Sequence, residues 1–336
     1  MAGQQSETTP SPSISIRQHI RWLPDANAEE ATSTVVLSTS GNYYVDIRIL
    51  LPPDLIDASV LPNVPPVLDL SYLDWAFAGT SSSTVRTRRL SSNSTKSSSS
   101  SSLKPLTPTE EKGKKDTGNA HTRSASGGKL VVIRQCTWTH WVDSRGPVSK
   151  QTHSDSRAAS GAQSPASPVT PSDWTDTGNI YPTDKENEFL EKGRMMNDKG
   201  VMQDMEELWR DFTPQRLPGE ANAASIVLKA ENKILGVRGM VIRVGGWCQG
   251  IIRSSNGEIG VERWRFGSSG FIDGMVKRYD DSATQQQAGK WQKIFKLGKM
   301  SLPCESACLK SDELGEGDSI MHGGLNWTVV ESQRLV

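Results

Sequence analysis

Few residues in this chain combine a reactive type with a useful spacing. The five histidines are His19, His121, His140, His153 and His322, and none stands at metal-ligand spacing from another histidine, a cysteine or a carboxylate. The sharpest acid/base candidate is His140 with Asp143. On one extended strand a separation of three puts these side chains on opposite faces, so the pair can meet only across a bulge. Cys304 and Cys308 could approach one ion, but no second ligand pair accompanies them, and a structural turn with two quiet thiols is the simpler expectation. Gly236, Gly239, Gly245 and Gly246 fit neither a Walker loop nor a dinucleotide fingerprint. Gly267-Ser268-Ser269-Gly270 lacks the spacing of a nucleophile elbow. The expectation is a protein with no catalytic residues, no metal and no cofactor.

Aromatic residues are the other candidates. Ten tryptophans are many for 336 residues, and the motif Trp-x-Phe occurs twice, at Trp75 and Phe77 and at Trp264 and Phe266. In a strand, residues two apart share a face, so each motif places two rings together. Trp75, Phe77, Trp138, Trp264, Phe266 and Trp291 are therefore expected inside the fold. There they fill a core, or line a cavity for a small apolar ligand.

The elements that must position these rings read as strands. Tyr43, Val45, Ile47, Ile49 and Leu51 alternate with Tyr44, Asp46, Arg48 and Leu50, which predicts a strand with its first set on one face. Residues 250–255 and 259–266 flank Asn256-Gly257, the strongest hairpin signal in the chain. Residues 130–142, 291–297 and 325–330 are further strand candidates. For residues 201–209, a short amphipathic helix competes with a strand starting at Glu207.

Two segments carry too few large apolar side chains to offset the entropy of ordering them: about 79–128, with its serine run, and 149–172, with Ser-Pro and Thr-Pro pairs. Both are expected to be disordered insertions, and Ser164, Ser167 and Thr170 in the second are candidate phosphorylation sites. Set aside these insertions and the halves repeat. Ser33 to Leu37 resembles Ala224 to Leu228, residues 74–81 resemble 263–269, and residues 190–196 resemble 314–321. The expected fold is mainly β, with little helix: two tandem antiparallel barrels, each closed to remove its edges. The expected boundaries are a tail over 1–13, a first barrel domain over 14–204 and a second over 205–336.

Lysine plus arginine and aspartate plus glutamate both total 38, so no net field favours nucleic acid or an anionic membrane. The polar start of the chain does not read as a secretory signal, and no apolar run is long enough to cross a bilayer. A cytoplasmic location with reduced cysteines is expected.

Four stretches carry a resemblance: Cys136 to Ser144, Asp176 to Tyr181, Glu191-Lys192-Gly193 and Glu206 to Asp211. In combination they resemble the fungal HRI protein family, from about Ser13 to Val330 outside the two insertions, whose length departs from the family pattern. The resemblance implies two lipocalin-like (calycin-like) barrels, a nuclear as well as cytoplasmic location, and a casein kinase I type kinase as protein partner. It transfers no catalytic residue. Two functions follow as expectations: a non-enzymatic interaction module that binds such a kinase or is its substrate, or a carrier of a small hydrophobic ligand in one barrel.

Overall fold

The structure, a computed structural model, describes residues 10–51, 67–89, 130–146, 174–197, 200–267 and 289–335. The first half contributes β1 (Ser13–Trp22), β2 (Thr32–Ser38), β3 (Tyr43–Leu50), β4 (Val67–Leu68), β5 (Leu73–Arg89), β6 (Leu130–Asp143), β7 (Trp174–Pro182), β8 (Glu188–Met196) and β9 (Met202–Phe212). All but β4 form a closed barrel in the order β1-β2-β3-β5-β6-β7-β8-β9, and every pairing in it is antiparallel.

The second half contributes β10 (Ala223–Asn232), β11 (Val237–Val244), β12 (Trp247–Ser254), β13 (Ile259–Gly267), β14 (Lys290–Gly298), the short helix α1 (Cys304–Leu309), β15 (Ser319–His322) and β16 (Leu325–Leu335). Its sheet runs β15-β16-β10-β11-β12-β13-β14, with β4 added in parallel at the β14 edge. The β12 to β13 turn is the one read from Asn256-Gly257: Gly257 has φ +92°, a conformation that glycine adopts without strain.

Four expectations need correction. The second sheet is a half-barrel: the chain after β14 forms α1 and a single 3-10 turn, and only the four-residue β15 follows before β16. Residues 202–212 are strand, with no helix in 201–209. The helical pattern arose because the inward set of β9 mixes Met205 and Trp209 with the carboxylate Glu207, which hides the period of two. The insertion expected from Gly79 begins later, since β5 runs to Arg89. Residues 90–128 and 149–172, with Ser164, Ser167 and Thr170, lie outside the described residues. The boundary drawn after residue 204 falls within β9, which closes the first barrel, so the chain leaves that barrel after Phe212.

Topology also revises the repeat. β10 pairs with β16 and β11 as β1 pairs with β9 and β2, so β10 plays the part of β1, not of β2. The Trp-x-Phe copies sit on equivalent strands, β5 and β13.

The largest apolar cluster lies between the halves. Ile14, Ile16, Val35, Leu37, Val45, Ile47 and Ile49 on the outside of the barrel pack against Val227, Met240, Ile242, Ile251, Val261 and Leu297 of the half-barrel. The Val45-Ile47-Ile49 face therefore looks out of the barrel and is buried by the second sheet, a sheet-on-sheet contact. Two fully buried polar side chains cross it. Gln249 Nε2 donates to Val35 O and Val45 O, both at 2.9 Å, and its Oε1 accepts from Arg263 Nε at 2.9 Å. Arg263 also donates to Ser33 Oγ at 2.8 Å and Ile47 O at 2.9 Å. Every buried donor here reaches an oxygen of the other half or a neighbour that does, which fixes the two units in register.

Candidate functional site

With the apolar face of β3 turned outward, the alternate set Tyr44, Asp46 and Arg48 points into the closed barrel. Arg48 donates to Asp46 Oδ2 through Nε at 3.1 Å and Nη2 at 2.9 Å, and to Glu207 Oε1 of β9 at 3.2 Å. It also reaches Met195 Sδ of β8 at 3.8 Å, which lies on the opposite wall of the barrel. Arg17 of β1 donates to Glu207 Oε1 at 2.5 Å, to Glu30 Oε2 at 2.7 Å and to Thr32 Oγ1 at 2.9 Å. Two guanidiniums and three carboxylates thus span the interior. Both guanidiniums sit on Glu207, holding its carboxyl below the usual range although burial pushes the other way. For Asp46 burial wins over Arg48 and the carboxyl is raised.

Glu191 is the exception in this network. It faces Glu207 across the β8 to β9 pairing, and burial first, then the Glu207 charge, pushes its carboxyl up to about 8. Its Oε1 lies where a side chain on Gly178 would begin: a Cβ there would come within 2.6 Å of it and 3.1 Å of the Trp138 ring. Gly178 is therefore a space requirement of the site.

An aromatic layer adjoins the charges. Tyr44, Trp75 and Phe77 form one buried cluster, against which Trp138 and Met195 pack. His140 stacks on Phe77 with centroids 4.2 Å apart, and the Arg48 guanidinium lies 5.3 Å from the Trp75 ring centre. His140 Nδ1 meets Asp143 Oδ2 at 2.7 Å, and Trp75 Nε1 donates to Asp143 Oδ1 at 2.8 Å. The pair does meet, because the register of β5 and β6 slips: Ala78 pairs with Val142 and Gly79 with His140, leaving Trp141 as the bulged residue. Only glycine fits opposite the bulge, since a Cβ on Gly79 would lie 1.8 Å from Thr139 O. His140 Nε2 lies 3.3 Å from Asp176 Oδ2. Burial opposes a charge on the ring, but the hydrogen bond to Asp143 and the nearby charges of Asp176 and Asp143 prevail and raise it to about 9. Cys136 on the same strand is pushed up to about 11, by burial first.

The second half places its aromatic candidates differently. Trp264 and Trp291 are half-buried against a core on the inner face of the half-barrel, and Phe266 meets Trp291 edge-on at 5.8 Å. The most buried ring there is Trp327, which lies against Gly239. The sequence reading missed it, along with Arg17, Asp46, Arg48, Glu191 and Glu207. One signal for the charged set was present: the polar residues that alternate with Val45, Ile47 and Ile49. Among the described residues, no group of three or more His, Cys, Asp or Glu side chains is arranged to hold a metal ion, and no helix is long and apolar enough to cross a membrane.

A closed antiparallel barrel with a salt-bridged interior, backed by a half-barrel, defines the class of protein. The family model described as Protein HRI1 matches residues 13–331, and the chain belongs to that family. The crystal structure of an uncharacterized protein from Saccharomyces cerevisiae is similar over 96% of this chain and 100% of its own, with a TM-score of 0.52 at 18% identity, a likeness of fold. No curated protein matches the chain.

Proposed function

We propose that the chain is a non-catalytic protein-interaction platform in the cytoplasm, with access to the nucleus, and that its partner is a casein kinase I type kinase that binds it or phosphorylates it. One observation carries the platform reading. Side chains from opposite walls meet inside the closed barrel, where Arg48 of β3 joins Glu207 and Met195 and where His140, Phe77 and Trp75 stack. A lipocalin-like carrier needs that volume, lined by apolar groups, for its ligand. The half-barrel, the other candidate for a carrier, has α1 packed on its inner face. Two surface depressions, one beside Ser306, Lys310 and Met321 and one beside Pro12, Pro214 and Leu335, are lined by none of the charged or aromatic groups of the barrel lumen. A body filled in this way offers its outer surface and its insertions as the working parts.

The kinase assignment rests on the resemblance described above, with Ser164, Ser167 and Thr170 in Ser-Pro and Thr-Pro pairs as the candidate phosphorylation sites. Phosphate on them adds charge that an arginine-rich surface reads. The test is kinase binding and phosphate incorporation for the full chain and for a deletion of residues 149–172. Binding by the full chain and at least tenfold less incorporation in the deletion support the reading. No binding and no incorporation by the full chain reject the kinase partner. Native mass spectrometry of the purified protein separates the two functions: the platform shows only apo mass, and a retained lipid revives the carrier.

A further inference from the structure

Three of the four cysteines meet on the inner face of the half-barrel. Cys248 stands on β12, and Cys304 and Cys308 stand one turn apart on α1, on the side of the helix that packs inward. All three are buried in one cluster with Ala307, Leu302 and Trp327. Cys248 Sγ donates to Cys304 O of α1 at 3.8 Å, which sets its sulfur against the helix that carries the other two thiols. Arg243, paired with Cys248 in the β11 to β12 register, clamps α1 by donating to Ala307 O at 3.3 Å and Cys308 O at 3.1 Å, and it forms an ion pair with Glu220. Its charge acts on the Cys248 sulfur from that position.

Burial disfavours a thiolate at Cys248, yet the neighbouring Cys304 and Cys308 and the Arg243 guanidinium outweigh it and hold Cys248 below the usual thiol range. Cys304 and Cys308 are pushed well above that range, by burial first and then by Cys248 itself. Cys248, paired with Arg243 across β11 and β12 and clustered with both α1 cysteines, is thus the sulfur placed to act as nucleophile. Cys136, in the other barrel, has Arg134 beside it but no second thiol, and burial prevails and raises it.

We propose that Cys248 is a peroxide-reactive thiol that resolves onto a cysteine of α1 as an internal disulfide. The Cys248 thiolate attacks one oxygen of a hydroperoxide. The O–O bond breaks, and with hydrogen peroxide the leaving hydroxide takes a proton to become water, leaving a sulfenic acid. An α1 thiol then attacks that sulfur, the S–O bond breaks, and the oxygen leaves as a second water with the thiol proton. One hydrogen peroxide is reduced to two waters as two thiols are oxidised to one disulfide. The bond joins α1 covalently to β12. All three cysteines are buried, so the reaction requires local opening of α1, a six-residue helix with Leu309 exposed at its end.

The experiment treats the full chain with hydrogen peroxide and maps peptides without reduction. The expected result is the loss of two hydrogens, a cross-linked pair joining the Cys248 peptide to the α1 peptide, reversal by dithiothreitol, and an unmodified Cys136. Cys248→Ser abolishes the cross-link, and Cys304→Ser or Cys308→Ser, whichever removes the resolving partner, leaves a trappable sulfenic acid. Absence of the cross-link in the wild-type chain overturns the proposal, as does oxidation of Cys136 before Cys248. The wild-type mapping decides the matter even where a serine variant fails to fold.

Discussion

The closed barrel and the half-barrel bury comparable faces with opposite chemistry. The barrel interior is closed by its own strands, so polar groups inside it must find partners within the lumen: Arg48 pairs with Asp46 on its own strand and with Glu207 across the interior, and Arg17 pairs with Glu207 from the adjacent strand. The half-barrel leaves its inner face open, and α1 covers it with Ala307 and two thiols; the Arg243 guanidinium is spent on backbone carbonyls and Glu220. A closed sheet can hold charge where side chains meet from all sides. An open one needs an apolar lid. Substitutions should therefore act differently in the two interiors.

The largest effect is expected at Arg48. Arg48→Met leaves Asp46 and one lone pair of Glu207 uncompensated in the lumen, and chemical denaturation should show a loss of about 3–5 kcal/mol. A loss under 1 kcal/mol would mean that the charges reach water and that the lumen is no different from the surface. Gly79→Ala comes next, at roughly 2–3 kcal/mol, because its Cβ is driven onto Thr139 O at the bulge. The same change should separate His140 from Asp143, and the His140 ring should then titrate nearer its ordinary value by NMR.

His140 and Glu191 give the barrel a pH dependence of its own. His140 is raised to about 9 in the folded chain from an ordinary value near 6.5, so its contribution is complete below about 6.5 and is lost as pH rises through about 9. Glu191, raised to about 8, acts in the same sense, its contribution fading as pH climbs from the ordinary carboxylate range through about 8. Thermal unfolding of a chain with Cys248, Cys304 and Cys308 replaced by serine should show stability falling between about pH 6.5 and 9. His140→Gln should flatten that slope by an amount on the order of 2–3 kcal/mol, and an unchanged slope would remove His140 from the account. The smallest effect is at the seam: Gln249→Ala should cost about 1–3 kcal/mol by leaving Arg263 and two carbonyls short of a partner. If that loss appears in only one of two separable transitions, the halves unfold independently.

Much of the fold was legible. The alternation over residues 43–51, the Asn256-Gly257 turn and the two Trp-x-Phe motifs are local patterns, and local patterns follow from strand geometry and turn chemistry. The site was far less so. That His140 and Asp143 meet depends on a one-residue slip against Gly79, and a slip is a property of two strands rather than one. Cys248 joins Cys304 and Cys308 from more than fifty positions away in the chain, a juxtaposition with no trace in spacing.

The residues alone determined that the chain is built of strands, that it is duplicated, and which side chains share a face on each strand. They left open which face looks inward. Val45, Ile47 and Ile49 had to be buried, but a barrel lumen and a second sheet both remove apolar surface from water, and periodicity is the same for either. Only the packing of the half-barrel against the outside of the barrel decided it. That placed the apolar set between the halves and turned Tyr44, Asp46 and Arg48 into the lumen.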